Sequence, residues 1–156
     1  MNHQPETPEF EAMVRESFSR MGMMAHLGAK ISIVRPGAVG VRLSHRNELL
    51  QQSGLFHGGV TTTILDSAGG YAAFSLFKSD DEILTVEYKV NFIAPAIGDE
   101  LVARGEVIKI GKILSITRGE ACVIKDGKET PCAIMQQTMM RIVGPSNGTN
   151  HSPHSS

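Results

Sequence analysis

Residues 51 to 77 read QQSGLFHGGVTTTILDSAGGYAAFSLF, and the interpretation of this stretch decides the fold. A polar loop leads into His57-Gly58-Gly59, and from there to Phe77 the chain carries no proline and one formal charge, the Asp66 carboxylate, before Lys78 ends the run. A helix this apolar has to be covered on most sides. Thr61, Thr62, Thr63, Asp66, Ser67, Gly69 and Gly70 interrupt it, whereas a membrane span needs roughly 20 apolar residues in succession. The run is therefore read as the buried central helix of a soluble protein. Each glycine inside a helix costs roughly 1 kcal/mol against alanine. Ala68-Gly69-Gly70 followed by Ala72-Ala73 thus predicts that another backbone packs very close there.

Upstream of this helix, Pro8 opens an amphipathic segment in which Phe10, Val14, Phe18 and Met21 recur at helical spacing. That predicts a first helix ending near Gly22, with Met21, Met23 and Met24 as soft packing at its end. Between Ala29 and Leu43 apolar residues alternate on either side of Arg35-Pro36-Gly37, the pattern of a β-hairpin. Asn47 to Leu50 is read as a short helical turn. Downstream, Ile83 to Ile93 alternates as a strand with Leu84, Val86, Tyr88, Val90 and Phe92 on one face. Pro95 and Gly98-Asp99 end it, and strands follow at Glu100 to Ile110, Leu114 to Lys125 and Glu129 to Ile142. These four are expected to run as an antiparallel meander. A two-residue turn at Asp126-Gly127 would set Cys122 opposite Pro131 and Cys132 opposite Ala121, on different sheet faces and unable to bond to each other.

The chain has 156 residues and 41% hydrophobic content, enough for one domain, read as residues 8–143. Residues 1–7 are expected to be disordered, and 144–156 form a low-complexity tail in which His151 and His154 read as flexible decoration. With 15 Lys and Arg against 16 Asp and Glu the net charge is -1, which lacks the global attraction that nucleic acid or an anionic membrane requires. The acidic, polar N-terminus is no secretory signal, so a cytoplasmic protein is expected. Two cysteines without metal-ligand spacing, and no Ser-His-Asp arrangement, leave no metal centre or cofactor site to predict.

A hairpin, one buried helix and a long meander imply an α+β fold, a curved antiparallel sheet wrapped around the central helix. At His57-Gly58-Gly59, with Asp66 nine positions beyond the histidine, the sequence resembles the hot-dog-fold acyl-CoA thioesterases, in particular their phenylacetate-pathway branch. Thr85 to Ala96, TVEYKVNFIAPA, is similar to that branch's strand, which carries Ser or Thr near its start and closes on proline. The resemblance covers roughly residues 25 to 142. It departs from the family at Gln51, where an asparagine is usual. What it implies is a cofactor-free hydrolase of acyl-CoA, assembled as a homodimer or homotetramer. An acyl-CoA-binding module without turnover is the alternative; a hydratase would want a histidine after Asp66 within the helical region, and none occurs before Phe77.

Thioester hydrolysis needs an activated water or a nucleophile, and a donor for the carbonyl's growing negative charge. Gly58 and Gly59 offer free N–H groups at the positive end of a helix dipole, and the resemblance implies that the Gly58 amide is the oxyanion donor. Asp66 is a carboxylate in an apolar helix, costly to bury without partners. It is either an ion pair or hydrogen bond across an interface or, as in the family, a general base or nucleophile. Thr85 would hold the attacking water and Gln51 would orient it, with His57 in a positional role. Lys112, Lys109 and Arg118 are the candidates for CoA phosphates, and Phe56, Tyr71 or Phe74 for the acyl pocket, beside Gly59. Eight residues of helix separate Gly58 from Asp66 by roughly 12 Å, too far to serve one carbonyl, so each site is expected to combine two chains.

Overall fold

Punctuation by glycine, proline and aspartate cuts the chain into short elements, and the computed structural model describes residues 3–145. The helices are α1 (Phe10–Ser19), α2 (Gly22–Leu27) and α3 (Gly58–Phe74), with a 3-10 turn at Asn47–Leu49. The strands are β1 (Lys30–Arg35), β2 (Ala38–Ser44), β3 (Glu82–Phe92), β4 (Glu100–Lys109), β5 (Leu114–Lys125) and β6 (Lys128–Ile142). All six strands form one antiparallel sheet that holds α3 on its inner face. This is the hot-dog fold, and from Ser67 to Phe74 every residue of α3 is buried.

Two expectations about the helices are refined. Gly22 does not stop the chain but starts α2, after one extended residue at Met21 (ψ 102°) breaks the helix. Gly28 then ends α2 in the left-handed region at φ 70°, a conformation glycine adopts at no steric cost. The expected disorder at the start of the chain does not extend to residues 6 and 7. The Glu6 N–H donates to Leu76 O at 3.3 Å, and the Thr7 hydroxyl to Phe77 O at 3.1 Å. His151 and His154 lie outside the described residues.

The sheet order is β1-β2-β4-β5-β6-β3, which corrects the expected four-strand meander. Only β4, β5 and β6 follow one another; β3 pairs with β6 at the far edge. The reason is the helix, which contacts every strand from β2 to β6 and carries the chain across the sheet. To rejoin β2, the chain returns along the sheet's end through residues 93–99. There Ile93 N donates to Cys132 O at 2.9 Å and Asp99 N to Ile124 O at 2.8 Å.

A bulge in β3 corrects the predicted facing of its side chains. Thr85 pairs with Met139 but Glu87 pairs with Thr138, leaving Val86 as the extra residue. A bulge reverses the alternation beyond it. Thr85, Tyr88, Val90 and Phe92 therefore share the face of Met139, Gln137, Met135 and Ala133, and Leu84 lies on the other. A second irregularity, at Ala121 and Cys122, corrects the cysteine register: Cys122 faces Pro131 as expected, but Ala121 faces Ala133 instead of Cys132. The Cys132 thiol donates to Ala121 O at 3.3 Å. Both thiols are free and buried, and burial pushes Cys122 up to about 12 and Cys132 up to about 11.

The close approach foretold by Ala68-Gly69-Gly70 is made by the chain's own sheet. A Cβ on Gly105 of β4 would lie 2.3 Å from the Ala68 carbonyl carbon and 2.4 Å from Gly69 N. Strand backbone touches helix backbone there. Among the described residues, no helix is long and apolar enough to cross a membrane.

The loop after α3 holds a buried polar knot. Arg141 Nε donates to Asp81 Oδ2 at 2.7 Å, Gly144 N to Asp81 Oδ1 at 3.0 Å and Lys78 N to Asp81 Oδ2 at 3.1 Å. Arg141 also pairs with Glu6 and lies over the Phe77 ring at 4.8 Å. Burial by itself would raise the Asp81 carboxyl, but the bonds from Gly144, Arg141 and Lys78 outweigh it and hold the group below its ordinary value.

Two stability measurements test this packing. Gly105→Ala should cost roughly 3 kcal/mol or more in denaturant unfolding, because two backbones must separate. Gly22→Ala, with nothing within 4 Å of the new methyl, should cost nothing. A depressed folded-state carboxyl stabilises at pH above the ordinary aspartate value, about 3.9, and that contribution is lost as the pH falls through the lower folded value. Asp81→Asn should therefore destabilise by roughly 3 kcal/mol at pH 7 and should lose less stability than the parent on acidification below about pH 4, as read from melting at successive pH values.

Candidate active site

The start of α3 is built by its own histidine. His57 sits in extended backbone (φ -62°, ψ 136°), and its Nδ1 accepts the Gly59 N–H at 2.9 Å. The cap requires Nδ1 as an acceptor, so a singly protonated ring carries its proton on Nε2. This corrects the expectation of two open glycine amides. The Gly59 N–H is occupied, and the Gly58 N–H has no partner among the described residues. The Phe92 ring covers Gly58, where a Cβ would stand 3.1 Å from Cζ.

The loop ahead of the cap is fixed by backbone bonds. His57 N donates to Leu49 O at 2.9 Å, Phe56 N to Ala96 O at 2.9 Å and Gln51 N to Leu55 O at 2.8 Å. The Gln51 side chain makes no hydrogen bond among the described residues. Phe56 is buried in the core, edge-on to His45 at 5.9 Å between centroids.

Two turns along α3, Asp66 is half-buried and meets residues from β3 and β6. The Thr85 hydroxyl donates to Asp66 Oδ1 at 2.8 Å, and Gln137 Nε2 donates to the same oxygen at 2.8 Å and to the Asp66 carbonyl at 3.2 Å. Thr117 Oγ1 in turn donates to Gln137 Oε1 at 3.1 Å. Asp66 Oδ2 receives no hydrogen bond from the described residues. The β3 bulge is what points Thr85 inward to this contact.

Beside Asp66 lies a cavity of about 710 Å³. Met13, Met21 and Met24 from the α1–α2 segment, Tyr71 and Phe74 of α3 and Met139 of β6 supply its apolar wall. The Ser17 and Tyr71 hydroxyls hydrogen-bond at 3.2 Å on it, and burial raises the Tyr71 hydroxyl above its ordinary value. The methionines read as plain packing are thus wall residues of a cavity. Of the aromatic residues expected at an acyl pocket, Tyr71 and Phe74 line it. Phe56 does not, because the bridge of Leu50 to Phe56 turns its ring into the core.

The expected phosphate-binding cations do not gather here. Arg118 stands on the opposite sheet face, paired with Glu106 at 2.9 Å, since Thr117 and Gly119 on either side of it point inward. Lys109 and Lys112 flank the β4–β5 turn and are exposed. Sequence reasoning also missed Gln137 and Thr117. The signal was present in β6, where Met135, Gln137 and Met139 fall in phase. A glutamine inside an inward methionine row has to be satisfied by something within.

One long helix gripped by a six-stranded antiparallel sheet is the hot-dog architecture, and the family match within it makes this protein a thioester hydrolase. Residues 53–130 match the Thioesterase superfamily, and the chain belongs to that family. It is similar to a thioesterase family protein of Silicibacter pomeroyi, with 43% identity and a TM-score of 0.85 over 86% of this chain and 99% of that one. Acyl-coenzyme A thioesterase 13 of Homo sapiens is 29% identical over 91 residues, 56% of this chain and 64% of the human protein. The PaaI protein of the E. coli phenylacetic acid degradation operon shares the fold at a TM-score of 0.77 and 19% identity, over 87% of this chain and 95% of that one.

The histidine cap yields a direct test. His57→Ala should lower stability by about 1 kcal/mol, whereas His57→Asn, itself a good cap, should recover most of that loss in the same denaturant titration.

Proposed function

We propose that the protein hydrolyses acyl-CoA thioesters, with Asp66 as general base or nucleophile and the Gly58 N–H as oxyanion donor. The observation that carries this reading is the Asp66 carboxylate, held at Oδ1 by Thr85 and Gln137 and lining a cavity that has one methionine and aromatic wall and is large enough for an acyl group. A carboxylate fixed at one oxygen beside an apolar wall is aimed by its surroundings. As a base, Asp66 takes a proton from water while the water oxygen attacks the thioester carbon. The oxyanion meets the Gly58 amide at the positive end of α3. Its collapse breaks the carbon–sulfur bond, and the CoA thiolate leaves, taking up a proton. As a nucleophile, the carboxylate would attack the thioester carbon and expel the CoA thiolate, forming an anhydride that water then cleaves to the free acid and the Asp66 carboxylate.

The other residues take supporting parts in this scheme. Thr85 donates a hydrogen bond to Asp66 and keeps its lone pairs for the water, while Gln51 orients the water or the thioester. His57 and Gly59 close the first helical turn upon each other, which leaves the Gly58 N–H to the substrate. Phe56 anchors the loop from behind. Lys112 is the phosphate candidate on an exposed turn, a role that Arg118 can take only by leaving Glu106.

Gly58 and Asp66 belong to one unbroken helix, which puts their backbones roughly 12 Å apart. The reading therefore assigns each site to two chains of a homodimer, the unit from which a tetramer would be built. Ala68 to Gly70 already face the chain's own sheet and are not available to a partner helix. The β3 edge is the better seam: Val86, Tyr88 and Phe92 are 53%, 49% and 55% exposed on it, and an unpaired apolar edge invites a second strand.

Free-thiol release from a panel of acyl-CoAs is the experiment. Asp66→Asn should reduce turnover by on the order of 10³-fold. Gly58→Pro should also be inactive, because proline suits the first helical position but lacks the N–H. Refolded together, the two dead parents should regain activity in heterodimers, which contain one site with both parts intact. Heterodimers verified by mass that stay inactive would place the whole site in one chain. Saturable binding with no turnover by the unaltered protein would make it a binding module.

A further inference from the structure

We infer that Gln137 is a positioning residue for the reaction, and that its amide, together with Thr85, assigns the chemistry to Asp66 Oδ2. The inference rests on Asp66 being the reacting carboxylate, and it adds a residue and a choice of oxygen to that reading.

Gln137 is 1% exposed, and every polar atom of its side chain that the geometry involves has a job. Its Nε2 donates to Asp66 Oδ1 at 2.8 Å and to the Asp66 carbonyl at 3.2 Å, gripping both the side chain and the backbone of one residue. Its Oε1 accepts from Thr117, which is itself fully buried. The Asp66 carboxylate and carbonyl fix which end of the amide faces the helix: a flipped amide would set Oε1 against two acceptor oxygens, whereas the Thr117 hydroxyl can meet either end.

The helix has yielded space for this contact. A Cβ on Gly69 would lie 1.8 Å from Gln137 Oε1 and 2.8 Å from Thr117 Oγ1. Glycine at 69 is costly in a buried helix, and the three atoms nearest its missing methyl all belong to Gln137 and Thr117. Three elements thus converge on one carboxylate oxygen: β3 through Thr85, and β5 and β6 through the Thr117–Gln137 pair. An oxygen that accepts two hydrogen bonds is spent as a base, which leaves Oδ2 to take the proton or attack.

The test uses the intact protein and the acyl-CoA assay, reading kcat and KM separately. Gln137→Met keeps the volume between Met135 and Met139 but removes the donor. It should lower kcat on the order of 10- to 100-fold and leave KM within about threefold. Thr117→Val, which does not touch Asp66, should produce the same split to a smaller degree by freeing the amide. Gly69→Ala, which drives the amide away from the opposite side, should reproduce the kcat loss. Asp66→Asn is measured alongside. An inactive Asp66→Asn protein with a Gln137→Met kcat within about twofold of the parent would overturn the inference while sparing the catalytic reading. An active Asp66→Asn protein would remove both. If Gln137→Met is too unstable to assay, a Thr117→Val protein that melts like the parent and keeps full kcat likewise overturns the inference.

Discussion

Strand β4 lies with its backbone against the backbone of α3, Gly105 upon Ala68 and Gly69, and the rest of the molecule is arranged around that contact. Interiors are close-packed, so two elements approach this closely only where no side chain stands between them. The contact brings the helix into the curve of the sheet instead of on top of it. Leu65, Ala68, Ala72 and Ala73 are then fully buried, and the helix needs no polar face on that side. Thr117 and Gln137, directly opposite each other on β5 and β6, meet beneath the helix at Gly69.

That depth is also what makes a mid-helix carboxylate tolerable. An isolated buried charge is expensive, and it is stabilised only by well-placed donors. At Asp66 the donors come from β3 and β6, two strands that neighbour each other because the helix delivers the chain to the far edge of the sheet. Had β3 paired with β4, Thr85 would not stand beside the row that carries Gln137. Fold topology and the electrostatics of the site are in this sense a single arrangement. The bulge at Val86 completes it by turning Thr85 inward.

The N-terminal end of the helix is organised on a different principle. His57 satisfies the second amide of α3 with its own ring, leaving the first, on Gly58, without a partner among the described residues. A helix start always presents several unsatisfied N–H groups; a cap that occupies one of them narrows the choice of where an oxyanion would sit. The cavity beside Asp66 draws on the α1–α2 segment, whose Met24 belongs to the core and whose Met13 and Met21 pack against it, so one segment serves both cavity wall and core. Methionine suits such a wall because its side chain adapts to irregular space.

The sequence alone determined the features whose physics is local. The period and apolarity of residues 58–74, the turn residues at Arg35-Pro36-Gly37 and Asp126-Gly127, and the conflict of a lone aspartate in an apolar helix are each legible within a few residues. They were enough to announce a wrapped helix, a curved sheet and the anomaly of Asp66, whereas Gly58 and Thr85 entered through the resemblance to the hot-dog thioesterases. Tertiary structure decided what depends on register and on distant partners. A bulge shifts every later side chain to the other face, yet Val86 looks like any strand valine. The place of β3 beside β6 follows from the helix crossing the sheet, which no local pattern encodes. Gln137 lies 71 residues from Asp66, and only the packing of the sheet against α3 joins them. Gly69 was readable as a close approach, but what approaches it, an amide held by a threonine on the next strand, is a property of three elements meeting and of none of them singly.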